Sequence, residues 1–367
     1  MAQLADNLLL QKPREKSGAR ASSRFEFQTN FSILKILDRH ESGEDYRALF
    51  DHFDDLTLLD SSSTPSKIRF FQIKGRDVSK LWTIKQLTAE ETGAAAPRSI
   101  IGKMYRNAAD FAEAVEHIAF ASNASFRFLL KDGSKSNEDH NSISGDMLHT
   151  SELDIIDAVL EPNFPTQRKP PCQGILLFER TNLPLQDQAL FVTGRLVDYL
   201  ENIGVSEGVP VKALYDVLYK NIFAKSSQTE ICDSIEALYK TKSLCRTEVS
   251  ALIERAISHR RFSDIWPPVR DELVSKGKTA IQVFRLQNAC IHYLGNRAKG
   301  ESIANKFSNA VQTIVSNNTT AIQECSTVLE IVELLLAQLA HSDQTRTYEG
   351  DAAYGALLVE ACEAINV

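Results

Sequence analysis

Residues 53–77, FDDLTLLDSSSTPSKIRFFQIKGRD, hold two apolar runs, 55–59 and 68–74, on either side of the turn-forming stretch DSSSTPS. A run of three serines followed by Thr-Pro-Ser cannot continue a helix, and runs this short and this rich in Leu, Ile and Phe read as strands, so the segment is expected to be a β-hairpin. If it is symmetric about Ser63 and Thr64, paired residue numbers sum to 127 and Asp55 faces Gln72. Strand alternation puts Gln72 and Lys74 on one face and Phe71 and Ile73 on the other, which sets Asp54 toward the apolar side. This register favours Asp55 over Asp54 as the functional acid; a slip by one residue reverses the choice.

A helix is expected over residues 23–39, where Phe27, Phe31 and Leu34 recur at helical spacing with Ile33, Ile36 and Leu37 adjoining. Glu26, Ile33 and Leu37 share a stripe, so Glu26 falls in the apolar arc and Gln28 on the polar side. A carboxylate aimed inward needs a partner such as a divalent metal. Ser23 and Glu26 also fit the S-x-x-E capping box, and spacing alone leaves the two roles equally open. Taken singly, Asp54 and Asp55 fit a solvated strand start and Lys74 an edge-strand lysine; acid, Gln72 and Lys74 together point to a site.

The length of 367 residues suggests two domains, and 43% hydrophobic against 24% charged residues excludes a disordered chain. The net charge of -7 argues against a protein that coats nucleic acid or an anionic membrane. That acidity is uneven: residues 1–106 hold 17 Lys+Arg against 14 Asp+Glu, and the remainder 24 against 34. Six scattered cysteines with no CxxC or CxxH spacing read as reduced thiols of a cytoplasmic protein. No secretory signal is evident, and the apolar stretch 328–340 is too short and too acidic to span a bilayer, so no membrane association is expected.

Residues 1–22 are expected to form a flexible basic arm, with Lys12, Arg14, Lys16, Arg20 and neighbouring Arg24 as its cations. Residues 102–121 read as helix, 126–130 and 174–178 as apolar runs, and 131–150 as a long surface loop. From residue 183 amphipathic helical patterns recur, over 191–203, 211–223, 229–239, 248–257, 279–294 and 324–340, with Gly204 and Gly295 at expected helix ends. The expected division is an α/β domain over 1–180 and an all-α oligomerisation or docking domain over 181–367.

In SRFEFQTNF, FDDLTLL, FFQIKGRD with Leu81-Trp82, and FASNASFRF, the chain resembles the PD-(D/E)xK nuclease superfamily, and within it bacterial anti-phage effector nucleases with a Q-x-K variant, cyclic-nucleotide-triggered or HerA-associated. The resemblance spans roughly residues 20–130 and implies a restriction-endonuclease-like α/β fold. It implies Asp55, Gln72 and Lys74 as catalytic residues, and Asp55, Gln72, Glu26 and the Ile73 carbonyl as ligands of Mg²⁺ or Mn²⁺, with Asp54 and Gln28 as reserves. Arg76 joins the arm residues as a DNA contact. It implies double-stranded DNA as substrate, a homo-oligomer, and activation by a HerA-like hexameric ATPase. A non-catalytic adaptor for a motor and a stand-alone modification-dependent restriction enzyme are the rival readings. Gly277-Lys278-Thr279 lacks the upstream glycine of a phosphate loop, and Asp132, Glu138, Asp139 and His140 sit in a polar loop; neither is taken as a site. Trp82 is expected to pack, with a groove wall as the alternative.

Overall fold

The computed structural model describes residues 17–90, 97–164, 171–205, 209–229, 232–298, 302–339 and 348–364, with side chains except at 17–22, 258–261, 263–265 and 298. Packing divides the chain into two units, Met1–Val192 with Asn221–Arg246 and Thr193–Lys220 with Thr247–Val367. Lys12, Arg14 and Lys16, and the side chain of Arg20, lie outside the described residues.

The first unit is built on a seven-stranded sheet. Helix α1 (Ser17–Glu41) leads into β1 (Arg47–Phe50), β2 (Leu56–Leu59) and β3 (Ile68–Ile73), an antiparallel meander. Helices α2 (Ile84–Thr88) and α3 (Ile100–Phe111) cross over to β4 (Val115–Ser122), parallel to β3. After β5 (Ser142–Ser144), helices α4 (Thr150–Leu160) and α5 (Cys172–Ile175) precede β6 (Leu176–Arg180), parallel to β4. The spatial order is β5-β6-β4-β3-β2-β1-β7, where β7 is the late strand Ser243–Cys245.

The β2–β3 register is the expected one: Leu56 pairs with Phe71 and Leu59 with Ile68. Leu56, Leu58, Phe71 and Ile73 are buried on one face and Phe70 on the other, and a slip by one residue would exchange the two faces and break both sets of contacts. Helix α1 covers the sheet with buried Phe27, Phe31, Ile33, Ile36 and Leu37; the rings of Phe31 and Phe71 lie 6.2 Å apart. A separate core of Phe70, Tyr105, Ile118, Phe126, Phe128 and Phe178 joins strands to the crossover helices.

Several expectations need correction. Helix α1 begins at Ser17, taking in residues 17–22 of the expected arm, so Ser23 lies inside the helix and the capping-box reading of Ser23 and Glu26 fails. The helix expected over 102–121 ends at Phe111; the chain then becomes β4, buried along most of its length, and a strand covered on both faces shows no alternation to read. The expected loop 131–150 contains edge strand β5. Strand β7 returns to the sheet from within the helical half, pairing with β1.

The second unit is helical. Its main elements are α9 (Arg246–Ser275), α10 (Ala280–Ala298), α11 (Ser302–Asn317), α13 (Val328–Leu339) and α14 (Gly350–Ala364), with α6 (Gln188–Asn202), α7 (Val211–Ser226), α8 (Ile235–Lys242) and the short α12 (Thr319–Glu324) completing the helix list of the chain. Gly204 ends α6 at φ +75°, as expected, while Gly295 lies inside α10. Helices α10 and α14 approach closely at Gly355, where a Cβ would stand 2.6 Å from that of Ala289. In this core Arg297 pairs with Glu360 at 2.8 Å and Glu363 at 2.6 Å, and the Tyr293 hydroxyl donates to Glu360 at 2.5 Å. No helix among the described residues is long and apolar enough to cross a membrane.

Candidate active site

The start of β2 and the end of β3 meet at one end of the sheet, where parallel strands β3 and β4 also finish. Carboxyl ends of parallel strands are where open α/β sheets place ligands, because the chain must leave the sheet there and the loops diverge. Asp55 immediately precedes β2 and Lys74 immediately follows β3.

Asp55 is gripped from several sides. Its Oδ2 accepts from the Gln72 side-chain amide and, at 2.6 Å, from the Ile73 backbone N–H. The Gln28 side chain from α1 also hydrogen-bonds to it. A strand residue directs its N–H and C=O to the same edge, so the Ile73 carbonyl lies on the Asp55 side as well. Lys74 instead turns its N–H to the Ala121 carbonyl at 2.9 Å, and its own carbonyl accepts from Ser122 Oγ at 2.7 Å.

Asp54 does not follow strand alternation. Residues 51–55 form a bend, opened by Asp51 at φ +46°, and the bend returns Asp54 to the site: its Oδ1 accepts the Asp55 N–H at 3.0 Å and its Oδ2 the Asn107 amide at 3.3 Å. Burial, then the neighbouring Asp55 charge, pushes the Asp54 carboxyl up to about 7, opposed by the Asp55 N–H, Lys74 and Asn107. Burial also raises the Asp55 carboxyl, against the pull of Lys74 and of three hydrogen bonds. Two adjacent acids therefore share the charge of one lysine and are left short of positive charge.

Glu26 and Gln28 lie 200° apart on the helix, so a helix that aims one at the site aims the other away. Gln28 is the one bonded to Asp55. Glu26 is half-buried, and among the described residues no three His, Cys, Asp or Glu side chains gather as a metal cluster.

Arg24, Gln28, Lys74 and Arg76 come together around a cavity of about 300 Å³, with Ile73, Gly75, Trp82 and Ile100 completing its wall. Trp82 both packs and lines this cavity: its ring meets Phe120 edge-on at 4.8 Å and its Nε1 donates to Ser122 Oγ at 2.9 Å. The loop residues Asp132 and His140 bond within their own turns, to Ser134 and Asn137. Thr279 starts a helix, its Oγ1 accepting from the Gln282 N–H at 3.3 Å.

An acid before one strand and a Q-x-K unit ending its antiparallel neighbour, on a mixed sheet flanked by helices, define a nuclease core of the PD-(D/E)xK superfamily. Residues 16–226, more than half of the chain, match the family described as Cap4, dsDNA endonuclease domain, and the chain belongs to that family, whose nuclease domains are linked to anti-phage defence. Its first unit is thus a DNA-cleaving hydrolase domain. No curated protein and no solved structure matches the chain.

Proposed function

We propose that this chain is a Mg²⁺- or Mn²⁺-dependent endodeoxyribonuclease that cuts double-stranded DNA at the Asp55, Gln72 and Lys74 site. The observation that carries this reading is the geometry at the end of the β2–β3 pair, where Asp55, held by Gln72 and the Ile73 N–H, lies with Asp54 beside Lys74. Oxygen donors from two carboxylates, amides and a backbone carbonyl suit a small hard cation, and added positive charge relieves their repulsion, so the residues fit such an ion. Asp55 and Asp54 would hold it with Gln72 and the Ile73 carbonyl; Gln28 takes the helix-borne place expected of Glu26. Held there, such a cation would supply Lewis-acid polarisation of the phosphodiester and activation of the attacking water.

The chain's own residues do the rest. Lys74, a compact point charge, faces both acids and neutralises negative charge building on the phosphate oxygens. Gln72 and the Ile73 N–H fix the Asp55 carboxylate, so it need not reorganise during the reaction. The test is cleavage of plasmid DNA with and without Mg²⁺, using Lys74→Ala and Asp55→Ala as controls; metal-independent cutting, or full activity in both variants, would sink the proposal.

We further infer assembly with a HerA-like hexameric ATPase in the cytoplasm of a phage-infected cell, with the chain itself oligomeric. The excess of acid outside residues 1–106 supports protein contacts over autonomous DNA binding. Solution mass of the chain mixed with such an ATPase tests this, and two separate species would count against it.

A further inference from the structure

We propose that the cavity beside Lys74 is a second phosphate subsite, in which Arg76, with Arg24, holds a backbone phosphate next to the scissile one. The proposal deepens the nuclease reading and rests on it only for where the scissile phosphate lies. Three cations, Arg24, Lys74 and Arg76, line the cavity, and no carboxylate does among the described residues. A pocket walled by one sign of charge is costly unless an anion enters it.

Arg76 is held ready for that anion. Its guanidinium lies 4.1 Å from the Trp82 ring centre, and its Nη1 donates to the Leu81 carbonyl and to Gln86 Oε1, both at 3.2 Å. These partners are neutral, so they orient the fork without cancelling its charge. Gln86 is fixed in turn by the capping box it shares with Thr83. The backbone is pinned too: the Arg76 N–H donates to Asn123 Oδ1 at 2.9 Å, and Ser122 binds both the Lys74 carbonyl and Trp82 Nε1. The end of β4 thereby sets Lys74 and Arg76 at fixed spacing. A guanidinium whose rotamer is fixed beforehand loses little entropy on binding, and its planar fork matches a phosphate.

The test is fluorescence anisotropy of the full chain with a short labelled duplex in EDTA, where no cleavage occurs. Arg76→Ala is expected to weaken binding about tenfold and to reduce the salt dependence by about one phosphate contact. Arg76→Lys restores the salt dependence but only part of the affinity, and Trp82→Leu, which frees the fork, falls between. Lys80→Ala removes an equal charge at an exposed position outside the cavity and is expected to stay within about twofold of the parent chain. Inorganic phosphate competes with the duplex for the parent chain and less well for Arg76→Ala. The proposal is overturned if the parent chain does not bind, or if Arg76→Ala loses no more than Lys80→Ala. Should Arg76→Ala unfold, Arg76→Gln gives the same comparison. The assay does not depend on Asp55: an Asp55→Ala chain that binds normally but does not cut supports both readings, whereas a parent chain that binds through Arg76 and never cuts defeats the nuclease reading alone.

Discussion

Two places in this molecule bury carboxylates, and they differ in how those acids are satisfied. In the helical unit, Glu360 is 3% exposed and meets Arg297 and the Tyr293 hydroxyl, while Glu363 takes the rest of the Arg297 fork. Arg297 is held firmly protonated by the two glutamates. At the sheet end, Asp54 and Asp55 divide one lysine that follows its strand; burial raises these two carboxyls as it raises that of Glu360, so the difference lies in the partners each acid has. The first arrangement is complete and serves structure. The second is short of positive charge in the folded chain, which is the arrangement that the proposed cation would complete.

Substitutions at the two places should therefore act in opposite directions. The largest effect expected is on catalysis: Lys74→Ala or Asp55→Ala should lower magnesium-dependent cleavage by about a hundredfold or more, with circular dichroism unchanged. Next comes the helical unit, where Glu360→Ala takes from buried Arg297 one of its two carboxylates and from the Tyr293 hydroxyl its acceptor, and should cost about 2–3 kcal/mol of stability by urea unfolding. A loss under about 1 kcal/mol would erase the contrast.

Asp54→Asn should instead stabilise the protein, by up to about 4 kcal/mol at pH 8. The sign follows from the raised carboxyl: below the unfolded pKa both states are neutral, and the folded state is penalised as pH rises from about 4 through about 7. The advantage of the variant should thus shrink toward zero below pH 4; an advantage equal at pH 4 and pH 8 would remove the electrostatic explanation. Adding Mg²⁺ at about ten times its Kd should raise parent stability by roughly 1.4 kcal/mol and leave Asp55→Ala unmoved. Apparent Mg²⁺ affinity should weaken as pH drops below 7 and protons compete for the acids. Smallest is Ser122→Ala, which frees the Lys74 carbonyl and Trp82 Nε1 for about 1 kcal/mol of stability, with kcat falling more than KM rises.

Much of the sheet end was legible beforehand because its determinants are local. A turn that admits one symmetric register, and apolar side chains that tolerate only that register, placed Asp55 against Gln72 without any tertiary knowledge. What escaped depended on context. Asp54 was ranked below Asp55 because alternation was extended into a bend that begins at Asp51. Gln28 was held in reserve behind Glu26 because a neutral side chain on a polar face carries no signal of its own. Strand β4 was hidden by being covered on both faces, and β7, with only Ser243, Leu244 and Cys245, is too short to show any period.

Strand β7 gives the chain an order in time as well as in space. The β1 edge is closed by residues that lie after the matched nuclease region has ended at residue 226. A ribosome must therefore translate through Cys245 before the sheet can be finished, and until then β1 presents a row of open backbone groups. Trimming the gene to the recognisable nuclease segment would preserve every proposed catalytic residue and still yield a sheet with a raw margin, prone to stick to its own copies. Late closure thus leaves the nuclease sheet incomplete until about two thirds of the chain has been made.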